Sequence, residues 1–254
     1  ESEGSATLTG TGADADGKVV AYLWSQISGP NASEIVNEGS PSTEVRKLIV
    51  GIYTYQLMVI DDGGATGVDT VSVTVKGPEY ITLTLQPANN PAEAVIFGNS
   101  TIDETGTDTK EIGAEAWTKY GDPVALRGIF KFDLSSIPPT SVIKNAKLSL
   151  YSHPAPTNGH HNDEVRANYG SNNTMLIQKV TETWNPGTLT FNNQPSSAST
   201  NQVVIPSTNQ AFLDLVDIDV TQLVKDMTGS NANYGLFLRL QNEVYYNSRI
   251  FATS

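Results

Sequence analysis

The chain contains no cysteine, so no disulfide holds it together and a small disulfide scaffold is excluded. Positive charge is scarce. Fifteen Lys and Arg stand against 27 Asp and Glu, for a formal net charge of -12. The residues on either side of position 80 are each net negative. Such a field repels nucleic acid and anionic membranes at long range, which removes both as expected partners. No stretch approaches the roughly 18 apolar residues of a membrane span, so membrane insertion is not expected. No signal-peptide pattern is visible, and the chain opens at Glu1 without methionine, which reads as a fragment of a larger protein, expected to be monomeric. Nucleophile elbow, phosphate loop and zinc-protease motif are all missing. A carboxylate pair for glycoside hydrolysis needs only to meet in space, but loop carboxylates abound here without that role. The chain is therefore expected not to be an enzyme, and no cofactor is required.

What is present is β-structure. Val68 to Val75 alternates apolar and polar positions, as a half-buried strand does. Val19 to Trp24 and Tyr53 to Ile60 read in the same way. Asp16-Gly17, Gly29-Pro30 and Gly63-Gly64 punctuate them as turns. Short strands with a turn every ten residues or so predict a sandwich. Lys76-Gly77-Pro78 interrupts the pattern, because Gly-Pro cannot continue a central strand. The expected domains are therefore 1–77 and 81–254, joined by a short linker. In the second, strands are expected at Ile81–Leu85, Leu126–Leu134, Ala146–Tyr151, Leu176–Val180, Leu213–Val220 and Gly235–Leu240. One helix is expected at Thr221–Met227, capped by Asp219 or Thr221 and stopped by Gly229. Residues 99–122 and 152–174 read as long polar loops, and loops beyond about 12–15 residues are often functional. The fold class is all-β: two successive β-sandwiches. Only 17% of residues are charged, while Thr, Ser, Asn and Gly are abundant, a composition usual in secreted or cell-surface modules.

Two resemblances attach to these patterns. Ala13-Asp14-Ala15-Asp16-Gly17, Tyr22-Leu23-Trp24, Ile27-Ser28-Gly29-Pro30, Gly51-Ile52-Tyr53-Thr54-Tyr55 and Val59-Ile60-Asp61-Asp62-Gly63-Gly64 make residues 1–76 resemble the PKD-like, immunoglobulin-fold modules of bacterial surface proteins and secreted hydrolases. That resemblance implies a spacer or presenting role. The second domain is similar to the DNRLRE domains, the group that includes carbohydrate-binding module family 96. Arg127 to Pro138, Ala146 to Tyr151, Thr183-Trp184-Asn185, Leu189 to Pro195, Ile218 to Thr221 and Tyr234 to Arg239 carry it in the family's order. It departs from the family at Phe191, where the pattern has tryptophan, and in a long insertion after Tyr151. The resemblance implies a jelly-roll sandwich that binds polysaccharide.

Period two places Arg127, Ile129, Lys131 and Asp133 on one strand face and Gly128, Phe130, Phe132 and Leu134 on the other. Lys147, Ser149 and Tyr151 oppose an apolar face, and so do Phe237 and Arg239. Arg249 and Phe251 alternate with Ile250. If these strands share a sheet, Arg127, Lys131, Lys147, Arg239 and Arg249 give an acidic protein one basic face. Such a face suits an acidic sugar, a uronate of the alginate kind: guanidinium meets carboxylate in a bidentate pair and rings stack on pyranose faces. Ordinary solvated faces paired to Asp133 and Asp217 are the alternative, and with them a structural or adhesive segment without a sugar site. Trp117, near Tyr120, falls outside any apolar pattern and is either a stacking platform or an edge plug. Trp24 and Trp184 are expected in the core. His153, His160 and His161 share a loop with Asp163 and Glu164, but their spacing matches no metal-ligand pattern, and solvated loop residues are expected. Asp14, Asp16, Asp61 and Asp62 can gather into a structural calcium site, or they simply form turns, the favoured reading.

Overall fold

A computed structural model describes residues 4–87, 93–106, 110–158, 164–229 and 231–253. The chain divides into two compact units, Glu1–Leu83 and Thr84–Ser254.

The first unit has six strands: β1 (Gly4–Thr9), β2 (Val19–Ser28), β3 (Glu34–Ile35), β4 (Ser42–Leu48), β5 (Gly51–Asp61) and β6 (Thr66–Val75). They form two three-stranded antiparallel sheets, ordered β1-β4-β3 and β2-β5-β6. Alternate residues of β5, Tyr53, Tyr55 and Leu57, point into a core completed by Leu8, Trp24, Val45 and Leu48. The buried polar ends are satisfied. Trp24 Nε1 donates to Ser40 O at 3.0 Å, the Tyr55 hydroxyl to Ser33 Oγ at 2.8 Å, and the Tyr53 hydroxyl to Asn31 Oδ1. This is the sandwich that the strand pattern predicts and the immunoglobulin-like fold that the resemblance implies, with Trp24 in its core.

The second unit contains β7 (Glu93–Gly98), β8 (Asp103–Gly106), β9 (Glu111–Lys119), β10 (Asp122–Phe130), β11 (Lys147–Leu150), β12 (Asn168–Tyr169), β13 (Met175–Val180), β14 (Ser197–Ile205), β15 (Leu215–Asp219), β16 (Leu236–Leu240) and β17 (Asn247–Ala252). Nine of these form one sheet along the path β12-β17-β9-β10-β16-β13-β14, with β7 on the second edge of β10 and β8 beside it. The other two, β11 and β15, pair with each other. Strand β10 is the hinge of this arrangement. Along one edge it bonds β7 from Ala125 to Phe130. Along its other edge it bonds β9 up to Arg127 and then β16 from Gly128. Gly113 and Gly128 let the strands pack closely there: a Cβ on Gly128 would stand 2.5 Å from Ile112 Cγ1 and one on Gly113 would overlap Arg249 O, both closer than real side chains come. The main core gathers Ile112, Ala114 and Ala116 of β9 and Phe251 of β17 with Met175, Ile177, Leu236, Leu238 and Leu240. A second cluster, including Ile96, Ile129 and Phe237, is covered by Trp184, Phe191 and Tyr234.

Several expectations are corrected. Residues 99–122 are not one loop, since β8 and β9 run through them. In β9 two glutamates stand at alternate positions among small residues, so its apolar alternation is weak. Strand β10 ends at Phe130, although Phe132 and Leu134 still pack against the core. Ile81–Leu85 forms no strand: Ile81 is 82% exposed, and no described strand pairs with it. The helix, α1, is Thr221–Lys225. Asp219 Oδ1 accepts from Thr221 N at 2.9 Å, and Leu223 faces the core. Trp184 is half-buried, and its Nε1 donates to Tyr234 O at 2.7 Å.

The insertion after Tyr151 returns onto β9, where Thr157 N, Asn158 N and Asn158 Nδ2 all donate to the buried Glu111 carboxylate. Glu115, also buried, has Ser248 and Leu126 as its cross-strand neighbours, and its Oε2 has no hydrogen-bond partner. Burial, and then the nearby Glu111 charge, push its carboxyl up to about 8. Glu115 is therefore a neutral acid at pH 7. In the unfolded chain it ionises near 4.5, while the fold keeps its proton to about 8. Stability is thus full below the lower value, falls as pH rises between the two, and is level above the upper one. Glu115→Gln should flatten that decline and, at pH 8, raise stability by up to a few kcal/mol. Thermal unfolding of both proteins from pH 5 to pH 9 checks this, and parallel curves would refute it.

Candidate functional site

The β16–β17 connection, residues 241–246, carries polar and aromatic side chains that meet others across the second unit. Glu243 reaches back to β10, where Arg127 Nε donates to its Oε1 at 2.7 Å and Nη2 to its Oε2 at 2.6 Å. This is the planar bidentate match that guanidinium and carboxylate allow. Arg127 Nη1 donates to Gln194 Oε1 at 2.6 Å, and its guanidinium carbon lies 4.7 Å from the Phe191 ring centroid. Arg239 of β16 lies 3.6 Å from the same carboxylate through Nη2, while its buried Nε has no hydrogen-bond partner. Two guanidinium groups thus lean on one carboxylate. The register explains it: the pairing of Gly128 with Leu238 is the last between β10 and β16, so Arg127 and Arg239 are the next residue on each strand, just where β10 passes to β9. Like charges so placed repel, and Glu243 offsets that repulsion.

The same connection presents rings. Tyr245 and Tyr246 are 49% and 40% exposed and meet edge to face at 5.7 Å. Tyr246 packs on Trp117 of β9 at 5.2 Å, and Trp117 meets Tyr169 of β12 at 5.7 Å, both edge to face. Tyr246 has φ +67°, which a large side chain adopts only where its surroundings impose it. Those surroundings are a buried amide frame. Asn247 Nδ2 donates to Val244 O at 2.9 Å, and its Oδ1 accepts from Asn172 N at 2.7 Å. Asn173 Nδ2 donates to the carbonyls of Tyr169, Gly170 and Thr208. Gly170, at φ +78°, lies so close that a Cβ would overlap Asn247 Oδ1 and Tyr246 O.

The structure brings Arg127 and Arg239 together and sets Trp117 among tyrosines. The remaining candidates lie elsewhere. Lys131 follows the end of β10, exposed, near the Asp133 carboxylate that it helps hold below its ordinary range, behind the Ser135 hydroxyl and amide. Lys147 on β11 pairs with Asp217 at 3.0 Å, both well exposed, which is the ordinary solvated pairing. Tyr151, just past β11, is 58% exposed. Tyr120 stands at the tip of the β9–β10 hairpin, where the left-handed Tyr120-Gly121 pair makes a two-residue turn. It is 93% exposed, with the Lys119 ammonium 5.6 Å from its ring. Arg249 is a correction: it is wholly buried. It does share a face with Phe251, but on β17 that face turns inward, toward Ala114 and Ile112.

In the first unit Asp14, Asp61 and Asp62 serve turns. Asp14 Oδ1 accepts from Asp16 N at 3.4 Å, Asp61 Oδ1 from Ala65 N at 2.8 Å and Asp62 Oδ1 from Lys18 N at 3.1 Å. Asp14 and Asp62 converge over Gly17. Among the described residues no group of three or more His, Asp or Glu side chains is arranged to hold a metal. His153 Nδ1 accepts from Ala155 N at 3.2 Å and Glu164 pairs with Arg166 at 2.7 Å, while His160, His161 and Asp163 lie outside the described residues.

Sequence reasoning missed Glu243, Gln194, Tyr169, Tyr245, Tyr246 and the asparagine frame. One signal was present: the doublet Tyr245-Tyr246 lies between two strands in a polar connection, where rings have no core to enter.

Comparison with known proteins agrees with this organisation. The model of the K319L-like PKD domain matches residues 2–75, and that of carbohydrate-binding module family 96 matches residues 118–253, more than half of the chain. A 131-residue stretch, 49% of the chain, is 30% identical to the Dyslexia-associated protein KIAA0319-like protein of Mus musculus. The Dyslexia-associated protein KIAA0319 of Homo sapiens is also 30% identical over 131 residues, 48% of the chain. These matches span only 12% and 11% of the relatives' own lengths. The solution structure of the PKD domain from KIAA 1837 protein is 34% identical, covering 30% of this chain and 78% of that one, with a TM-score of 0.27. Both matched domains are of non-catalytic kinds, and no helix among the described residues is long and apolar enough to cross a membrane. The protein belongs to carbohydrate-binding module family 96, with a PKD-like domain preceding the module.

Proposed function

We propose that this chain holds an acidic, uronate-type polysaccharide for a larger secreted or surface protein. In this reading residues 81–254 bind the glycan, residues 1–77 act as spacer, and the unit works as a monomer without catalysis. Low charge, abundant Thr, Ser, Asn and Gly, and the absence of cysteine suit a bacterial extracellular origin. The observation that carries the reading is that Arg127 and Arg239 share the single carboxylate of Glu243. This leaves a surplus positive charge, and an Arg239 Nε without a partner, in a chain of net charge -12. A sugar carboxylate against the exposed part of the Arg239 guanidinium balances that charge in a charge-assisted pair. Tyr245 and Tyr246, on the same connection, offer apolar ring faces to the C–H faces of a pyranose.

Affinity electrophoresis in gels containing alginate, polygalacturonate or a neutral glucan tests the reading. Retention by a uronate should weaken as salt rises, because exposed ion pairs are screened within about 10 Å at 0.1 M. Salt-insensitive retention by the glucan would instead assign a neutral glycan held by stacking. No retention in any gel would favour a structural or adhesive segment. Arg239→Ala should weaken uronate binding about tenfold or more, since a charge-assisted contact is worth roughly 1.5–3 kcal/mol. Its circular dichroism should match that of the parent.

The asparagine frame gives a separate expectation. Gly170→Ala must adopt a left-handed φ and displace Asn247, so it should loosen Tyr246 and reduce binding while costing about 1–3 kcal/mol of stability. Glycan titration together with denaturant unfolding measures both effects. An unchanged dissociation constant would show that Tyr246 has no part in the site.

A further inference from the structure

The interior of the second unit holds a positive charge that no acid among the described residues balances. Arg249 of β17 is completely buried. Its Nη1 donates to Pro206 O at 3.0 Å, which ties the strand to the segment after β14. Its Nε and Nη2 are also buried, and neither has a hydrogen-bond partner. These two nitrogens form the side-on fork of a guanidinium, the edge that takes an anion through two parallel N–H bonds. Burial pushes the group down to about 10, with no nearby carboxylate among the causes. It is therefore still a cation at neutral pH. Glu115, the nearest acid along the neighbouring strand, cannot compensate. It pairs with Ser248, so its side chain leaves the opposite face of the sheet from Ala114 and Arg249, and it holds its proton to about 8.

An isolated buried charge is among the costliest features a fold can carry, and such charges are found paired. The neighbouring strand brings an unpartnered acceptor to the same place. Asn168 of β12 pairs directly with Arg249, and its buried Oδ1 also lacks a partner while its Nδ2 donates to Gln210 O at 3.1 Å. Two orphaned donors and one orphaned acceptor therefore lie at facing positions. A single water molecule would satisfy all three hydrogen-bonding groups and leave the charge untouched. A small anion in the fork neutralises the charge, and one water that donates to both the anion and Asn168 Oδ1 completes the set.

We propose that Arg249 holds a buried inorganic monoanion of the size of chloride, bound through Nε and Nη2 between β12, β17 and the segment after β14. The site is independent of the glycan reading. Its expected effect is on the stability of the sheet that carries Tyr169, not on recognition of the ligand.

Thermal unfolding of the full chain decides the matter at constant ionic strength, with chloride replacing methanesulfonate stepwise. Methanesulfonate is too large for an enclosed site. The midpoint should rise by a few degrees and level off, as mass action requires for a ligand that binds only the folded state. Arg249→Gln should lose the chloride dependence whatever its own midpoint. Crystals soaked in bromide should show an anomalous peak within hydrogen-bond distance of Nε and Nη2. Equal midpoints in the two salts, a chloride response that survives in Arg249→Gln, or water alone at the fork would each overturn the proposal. If the variant does not fold, the parent protein's salt response and the bromide map still decide.

Discussion

The second unit depends on β10 having two different neighbours along one edge. Hydrogen bonding to β9 ends at Arg127 and hydrogen bonding to β16 begins at Gly128. Glycine stands at positions 113 and 128, where a Cβ would collide with Arg249 O and with the Ile112 side chain. Three consequences follow. Strands β9 and β17 turn Ala114, Ala116 and Phe251 into the same core as Leu236 and Leu238 of β16. Arg127 sits at the fork, near Arg239. The connection from β16 to β17 must span the divergence, and it does so with Glu243 over the two arginines and Tyr245 and Tyr246 beyond them. One constraint on backbone packing thus sets the positions of both the cations and the rings.

Polar groups, more than apolar ones, fix the fine geometry. The asparagines at 173 and 247 are buried and spend their amides on backbone groups of neighbouring connections. Without them Tyr246 has no reason to keep a left-handed φ. Glu111 does the same for the insertion after Tyr151 by accepting from two successive backbone amides. Glu115 and Arg249 differ, because each keeps an unpartnered buried atom. The acid answers by staying neutral. The guanidinium has no such escape, because it does not lose its proton near neutral pH.

The legible and illegible parts of the chain divide by the range of the forces involved. Alternation and turn residues identified the all-β class, the Trp24 core, β5 as a strand and the inward leucine face of β16, because a half-buried strand writes its environment into every second residue. Strand β9 escaped, since two glutamates at inner positions of its pattern are solvent-facing in any local reading, yet the inserted loop buries Glu111. Ile81–Leu85 misled in the opposite way: the pattern is present, but a strand exists only if another strand bonds to it. The Tyr245-Tyr246 doublet was readable as exposed rings, though not the tryptophan they meet.

By itself the sequence determined that this protein is built from β-sandwiches, carries a net negative charge, and sets Arg127 and Arg239 at alternate positions on strands. Only tertiary structure decided what each charge faces. Arg127 and Arg239 converge on Glu243, Lys147 goes to Asp217 in solvent, and Arg249, on an equally alternating strand, enters the core. The reason is physical. Alternation fixes which residues share a face, but which face meets water depends on the layers packed against it, and those come from residues far away in the chain.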